Sequence, residues 1–376
     1  MLRAVRPSPP VIFLLNSLGV GGSEAKTVRM ANALSERGTQ VCIAYLNPPE
    51  QLKADIAPEV QTVHLRRRGK FSIPALRALL RLLSTFNSPT LVTVNLYPAL
   101  YGALARTFMG ASRFRLLMAM NTTEFPKRSL ERRMPLYRRI LARADTIVFG
   151  AQAQRKLWRD RHGVAREGSR GPDSIVLYNG VDTSLFGARP PVSCDARAQL
   201  QTRYVIGCVG RMRPEKAHID LVRTTAALRA RGIDVGLLLV GDGPERGRIL
   251  EEIERLRLGS AVVLGGETRD VRPFLAAMDL FVLPSVETFS NAALEALASG
   301  VPVICTRGGG MDELISFGGG LSCEPGDIEG FATAIARLLT DEVERRRLAM
   351  AARRAAVEHF DWDRTVDRFI ALTSAR

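Results

Sequence analysis

The feature that most constrains this 376-residue chain is a pattern it uses twice. Short apolar runs, each closed by Gly, Pro or a polar turn, alternate with longer stretches of helical spacing. A strand covered by helices on both faces must be apolar along its whole length, so the alternation predicts repeated β-α units around a mostly parallel sheet. Strands are expected at Val11 to Asn16, Val41 to Leu46, Val63 to Leu65, Leu91 to Asn95, Arg115 to Met120, Thr146 to Phe149 and Ile175 to Leu177. A second series follows at Val205 to Val209, Val235 to Val240, Ala261 to Leu264, Leu280 to Leu283 and Val301 to Cys305. Between them lies the polar, Pro-containing stretch Thr183 to Gln201, read as a linker near residue 187. The length agrees, because one hydrophobic core stops growing well short of such a chain.

Charge separates the halves. Residues 1–185 hold 28 Lys and Arg against 12 Asp and Glu, a net of +16, whereas the rest holds 25 against 26. That asymmetry points to an anionic partner of the first half, a nucleic acid or an acidic membrane surface. Basic residues cluster at Arg66 to Arg68 with Lys70, at Lys127, Arg128, Arg132 and Arg133, and at Arg138, Arg139 and Arg143. Between the first two clusters, Leu76, Leu79, Leu80 and Leu83 recur at helical spacing with Arg77 and Arg81. A basic amphipathic helix at a lipid surface would look so, but the leucines by themselves are expected to face the core. The five cysteines are scattered, without a CxxC pair, and read as buried thiols of a reducing compartment. The four histidines are far apart, so no metal site is expected. The apolar run Val11 to Leu15 is too short for a signal peptide, and nothing approaches a membrane span, so a cytoplasmic location is expected.

Ligands of open α/β sheets bind at the carboxyl ends of strands, and the turns there carry the motifs. After Leu280 to Leu283 comes Pro284-Ser285-Val286-Glu287-Thr288-Phe289-Ser290-Asn291, then a helix ending near Gly300 and Pro302. Ser290 or Asn291 can cap that helix, leaving first-turn amides for a phosphate or sugar hydroxyls. Glu287 precedes the helix and Glu295 lies about one turn inside it. After Val205 to Val209 comes Gly210-Arg211-Met212-Arg213-Pro214-Glu215-Lys216-Ala217-His218, whose Arg211 and Lys216 suit a diphosphate. After the first strand comes Gly19-Val20-Gly21-Gly22-Ser23-Glu24, an incomplete dinucleotide fingerprint.

The Glu287 to Glu295 segment closely resembles the E-x7-E signature of the retaining, GT-B-fold glycosyltransferases of family 4, with Ser290 where many members have Gly. Residues 210–217 resemble the G-R-x-x-x-x-K-G loop of that family, with Ala217 for the usual Gly. Gly241-Asp242-Gly243-Pro244 resembles its G-x-G-P turn, and Asn179-Gly180-Val181-Asp182 its N-G-V-D turn. The resemblance spans nearly the whole chain. It implies two Rossmann-like domains facing across a central cleft: an acceptor-binding domain at 1–186, a nucleotide-sugar domain at 187–355, and a helix at 356–376 returning to the first. It implies Glu287 near the hydroxyls of the transferred sugar, Glu295 on the ribose, and Arg211 and Lys216 on the diphosphate, these and Glu287 forming the catalytic set. Gly21, Gly22, Gly210, Thr268, Val271, Phe289, Ser290 and Asn291 complete the donor site.

Where relatives place a His at the end of a strand of the first domain, this chain reads Met120-Asn121-Thr122-Thr123-Glu124. Asn121 and Glu124 are the candidates for the acceptor. The implied activity is retaining transfer of a hexose or N-acetylhexosamine from a nucleotide-diphosphate sugar, UDP first, without a metal or other cofactor. The implied acceptor is lipid-linked or a polysaccharide or lipopolysaccharide, at the inner face of the cytoplasmic membrane. An NAD-dependent oxidoreductase using the Gly19 to Gly22 loop is one alternative. A basic nucleic-acid binder, suggested by a pI near 10.3, is another, but it leaves the carboxylates and the Arg211 loop unexplained.

Overall fold

The computed structural model describes residues 8–121, 133–164, 171–187 and 194–374. The first sheet contains β1 Val11–Leu15, β2 Val41–Tyr45, β3 Gln61–His64, β4 Thr90–Val94, β5 Arg115–Met120, β6 Thr146–Phe149 and β7 Asp173–Val176, in the order β3-β2-β1-β4-β5-β6-β7. The second contains β8 Tyr204–Val209, β9 Val235–Val240, β10 Val262–Gly266, β11 Leu280–Leu283, β12 Val303–Thr306 and β13 Gly320–Cys323, in the order β10-β9-β8-β11-β12-β13. The ladders in both sheets are parallel.

The central strands β1, β2, β4, β8, β9 and β11 are buried almost throughout, which explains their continuous apolar runs. One face of the first sheet, with Ile12, Leu14, Leu91, Leu116 and Met118, packs with Leu76, Leu79, Leu83 and Trp158 from the helices. Helix Ile73–Ser84 starts on Ser72, whose Oγ accepts the Ala75 N–H, and it buries Leu76, Leu79, Leu82 and Leu83. Each such leucine contributes roughly 1.5–3 kcal/mol. The leucine stripe therefore belongs to the core, and Arg77 and Arg81 are its solvent side. Among the described residues no helix is long and apolar enough to cross a membrane.

The chain divides into one unit of Met1–Tyr178 with Thr365–Arg376 and another of Asn179–Arg364. The first boundary falls earlier than a linker near 187 because the segment after β7 is held by the second unit. Val181 bridges Asp361, the Trp362 N–H donates to the Val181 carbonyl at 2.9 Å, and Thr183 Oγ1 donates to Asp361 Oδ2 at 2.6 Å. Thr183–Gly187 is a short helix. Helix Trp362–Ser374 then carries the chain into the first unit, where Phe369 stacks on Phe13 at 5.7 Å and Arg115 donates to the Leu372 carbonyl at 2.6 Å.

Candidate functional site

In the second unit the loops that follow β8, β9 and β10 are laced by backbone hydrogen bonds. Gly210 N–H donates to Val240 O at 2.9 Å, Met212 N–H to Asp242 O at 2.9 Å, and Gly241 N–H to Gly266 O at 2.7 Å. Gly241 has φ +129, and a Cβ there would sit 2.2 Å from Gly210 O, so the lacing requires glycine. From this platform Pro214–Lys216 makes one 3-10 turn, and Ala217 takes the left-handed conformation at φ +52. That backbone favours glycine and explains why Ala217 is the unusual residue of the motif.

The turn places Lys216 Nζ on Glu287 Oε1, which also accepts the Ser285 hydroxyl at 2.9 Å. The pair is half-buried, with Lys216 30% and Glu287 21% exposed in their side chains, and Ser285 is buried. The Glu287 carbonyl accepts the Gly310 N–H at 3.0 Å, and Gly309, at φ +63, lies where a Cβ would be 2.0 Å from that same oxygen. Arg211 is exposed on the same loop as Lys216. Ser290 is the cap of helix Asn291–Ala298, its Oγ accepting the Ala293 N–H at 3.3 Å. The first-turn amides of Asn291 and Ala292 then point out of the helix start, where a phosphate or hydroxyl is favoured. Glu295 is half-buried on the second turn of that helix.

The sequence pattern omits two partners of this site. Ser285 was visible only as a turn residue. Asn179 reaches across 112 residues, its Nδ2 donating to Asn291 Oδ1 at 2.8 Å and to Phe289 O at 3.4 Å. The Gly308-Gly309-Gly310 run was the one available signal for the loop behind Glu287. Phe289 packs its ring near Phe360 at 5.5 Å, so it shapes the loop from inside. Thr268 closes a turn onto Asp270, whose carboxyl lies below its usual range because of the Arg272 hydrogen bonds, and Val271 caps the short helix Arg272–Ala276. His218 is buried at the start of helix His218–Ala230, and neither ring nitrogen has a partner among the described residues. Desolvation, then the Lys216 charge, lowers its pKa to about 4.

In the first unit Gly21, in extended conformation, begins helix Gly22–Glu36, and the Glu24 carboxylate fills the space beside it. Asn121 follows β5, its N–H donating to Asn95 Oδ1 at 3.1 Å; Asn95 itself has φ +67. Positive φ in a non-glycine costs energy and collects at functional positions. Asn47 Nδ2 donates to Asn16 Oδ1 at 3.2 Å, Arg67 Nε to Asn47 Oδ1 at 3.0 Å, and the Arg67 guanidinium covers the Tyr97 ring at 4.5 Å. A polar rim thus runs along the ends of β1 to β5, which sequence spacing did not reveal. Glu124, with Lys127, Arg128 and Arg132, lies outside the described residues. Among the described residues no group of three or more His, Cys, Asp or Glu could hold a metal.

The family model for glycosyl transferases group 1 matches residues 203–341, and that for Glycosyltransferase Family 4 matches residues 20–185. A GDP-mannose-dependent alpha-(1-6)-phosphatidylinositol monomannoside mannosyltransferase of Mycolicibacterium smegmatis is 31% identical over 301 residues, 74% of each chain. An N-acetyl-alpha-D-glucosaminyl L-malate synthase of Bacillus anthracis is 33% identical over 200 residues; the match spans about half of that relative, 52%. The structure of Anabaena HepE in complex with UDP superposes with a TM-score of 0.82 at 22% identity, covering 97% of this chain and 99% of that one. The chain belongs to the group 1, family 4 glycosyltransferases and has their GT-B fold of two Rossmann-like units.

Proposed function

We propose that the protein is a retaining glycosyltransferase that moves a hexose or N-acetylhexosamine from a nucleotide-diphosphate sugar, UDP first, to a lipid-linked or polysaccharide acceptor. The observation that carries the reading is the Lys216–Glu287–Ser285 cluster beside the start of helix Asn291–Ala298. It offers a cation and open amides to a diphosphate, and a fixed carboxylate to sugar hydroxyls. In the proposed step the bond between the anomeric carbon and the diphosphate oxygen breaks as the acceptor oxygen bonds to the same face. The acceptor proton passes to the leaving diphosphate, whose charge Arg211 and Lys216 stabilise. These cations do what a metal would do elsewhere, so activity is expected to persist in EDTA.

The relatives divide on the donor, the mycobacterial one being named for GDP-mannose and the Anabaena structure containing UDP. A donor panel read by released nucleotide, with the anomeric configuration of the product read by NMR, tests donor and stereochemistry together. Inverted product would overturn the retaining assignment. An anionic membrane is the proposed location. In support, Phe71 is 45% and Ile73 56% exposed, among the exposed cations Arg66, Arg68, Lys70 and Arg77. Apolar side chains flanked by cations suit an acidic lipid surface. Co-sedimentation with phosphatidylglycerol vesicles but not phosphatidylcholine vesicles, lost in Phe71→Asp, is the expected result.

A further inference from the structure

One unpartnered cation among the described residues of the first unit lines a cavity. Lys26, one turn into helix Gly22–Glu36, is half-buried and has no hydrogen-bond or ion-pair partner among the described residues. It lines a partly enclosed cavity of about 40 Å³ together with Phe13, Val94, Ala119, Asn121, Gly150 and Phe369. The space exceeds what a single water needs, about 10–15 Å³. Asn121 and Gly150 place it at the carboxyl ends of β5 and β6, the side of a parallel sheet where ligands bind.

A half-buried amine that lines an apolar recess without a partner gives up hydration with no hydrogen bond in return, and proteins normally satisfy or neutralise such groups. Desolvation lowers the Lys26 pKa to about 8, so the amine still carries its charge near neutral pH. Among the described residues no other that lines the cavity ionises, and the walls are mostly apolar. A cation in an apolar recess, with one carboxamide beside it, is matched by a compact anion that can displace water. A second sugar hydroxyl would not supply the missing charge.

The geometry points to an anion subsite in the first unit, in which Lys26 and Asn121 receive a carboxylate or phosphate group of the acceptor. This rests on the reading that the first unit binds the acceptor, and it adds that the acceptor is acidic. Inorganic phosphate and L-malate, titrated calorimetrically into the full chain at about pH 7, are the probes, with glycerol as the neutral control and UDP as the donor-site reference. Wild type is expected to bind at least one of the two anions and not glycerol, and the stronger one identifies the group. Lys26→Met should weaken anion binding about tenfold or more, the scale of a charge-assisted hydrogen bond, with UDP affinity unchanged. Lys26→Arg, which keeps the charge, should recover part of it. Raising the pH well above 8 should weaken binding to wild type and leave Lys26→Met unaffected, since only the protonated amine attracts the anion. Absence of anion binding in wild type, or equal binding in Lys26→Met, overturns the subsite. Loss of UDP binding in Lys26→Met with anion binding intact also overturns it. Failure of wild type to bind any nucleotide sinks the donor-site reading and not this one.

Discussion

Replacing Lys216 by Met separates the two things this side chain could be doing. The stem is kept and the charge removed, leaving Glu287 with the Ser285 hydroxyl at 2.9 Å and its Gly310 backbone contact. As a structural ion pair, Lys216–Glu287 is modest, because side chains 30% and 21% exposed are partly screened by water. The stability cost should be about 0.5–1 kcal/mol, a melting shift of about 2–4 °C at most for a domain of this size. If Lys216 instead faces charge developing on the leaving diphosphate, removing it should cost about 10²–10³ in kcat, or about 2.7–4 kcal/mol of barrier. The two readings thus differ several-fold in energy. Steady-state turnover of the best donor, with thermal unfolding of the same samples, decides between them. Activity within about threefold of wild type in a folded Lys216→Met chain would refute the catalytic role.

Ser290→Ala removes the cap of helix Asn291–Ala298 and should cost about 1 kcal/mol in urea unfolding, with weaker UDP binding as the helix start frays. Gly309→Ala demands a Cβ 2.0 Å from the Glu287 carbonyl at φ +63. It should displace Glu287 and depress activity more than tenfold, at a strain cost of at least about 1–2 kcal/mol. Burial holds the folded-state pKa of His218 at about 4, below its ordinary 6.5. The unfolded chain therefore takes up this proton first, and the His218 contribution to stability, intact above pH 6.5, is lost as pH falls towards 4. The change amounts to about 3 kcal/mol over that window. His218→Leu, which sacrifices no hydrogen bond among the described residues since both ring nitrogens are unpartnered there, should flatten that part of the pH dependence of the urea midpoint.

Most strands are legible in the sequence because a buried parallel strand must be apolar at every position; β5, β6, β9 and β11 match their apolar runs end to end. β13, Gly320–Cys323, is not, because Gly-Leu-Ser-Cys at the edge of a sheet carries only half that signal. The Ser290 cap is legible because capping is local. Asn179 on Asn291 is not, since nothing local encodes a bond across 112 residues. Lys26 is likewise invisible in sequence. One lysine on a helix looks like any other until the cavity beside it, without an acid among the described residues that line it, is known.

The site of the second unit follows from strand order more than from any one motif. In the order β10-β9-β8-β11-β12-β13, the chain runs outward one way from β8 to β10, then returns to pair β11 on the other side of β8. At such a reversal the loops leaving the two neighbouring strands, here β8 and β11, part and open a crevice between them. Arg211 and Lys216 lie on the first loop and Glu287 on the second, and the Lys216–Glu287 contact joins the two. The first sheet repeats the plan, its reversal falling between β1 and β4. There the loop after β1 gives Gly21 and Gly22, the strand end at β4 gives Asn95, and the only lysine of helix Gly22–Glu36 is Lys26. One topology thus sets two candidate ligand positions, and the loops decide the chemistry. On the proposed reading, two cations and a carboxylate serve a diphosphate sugar in the second unit, and a polar rim with the Lys26 amine, unpaired among the described residues, serves an acidic group of the acceptor in the first.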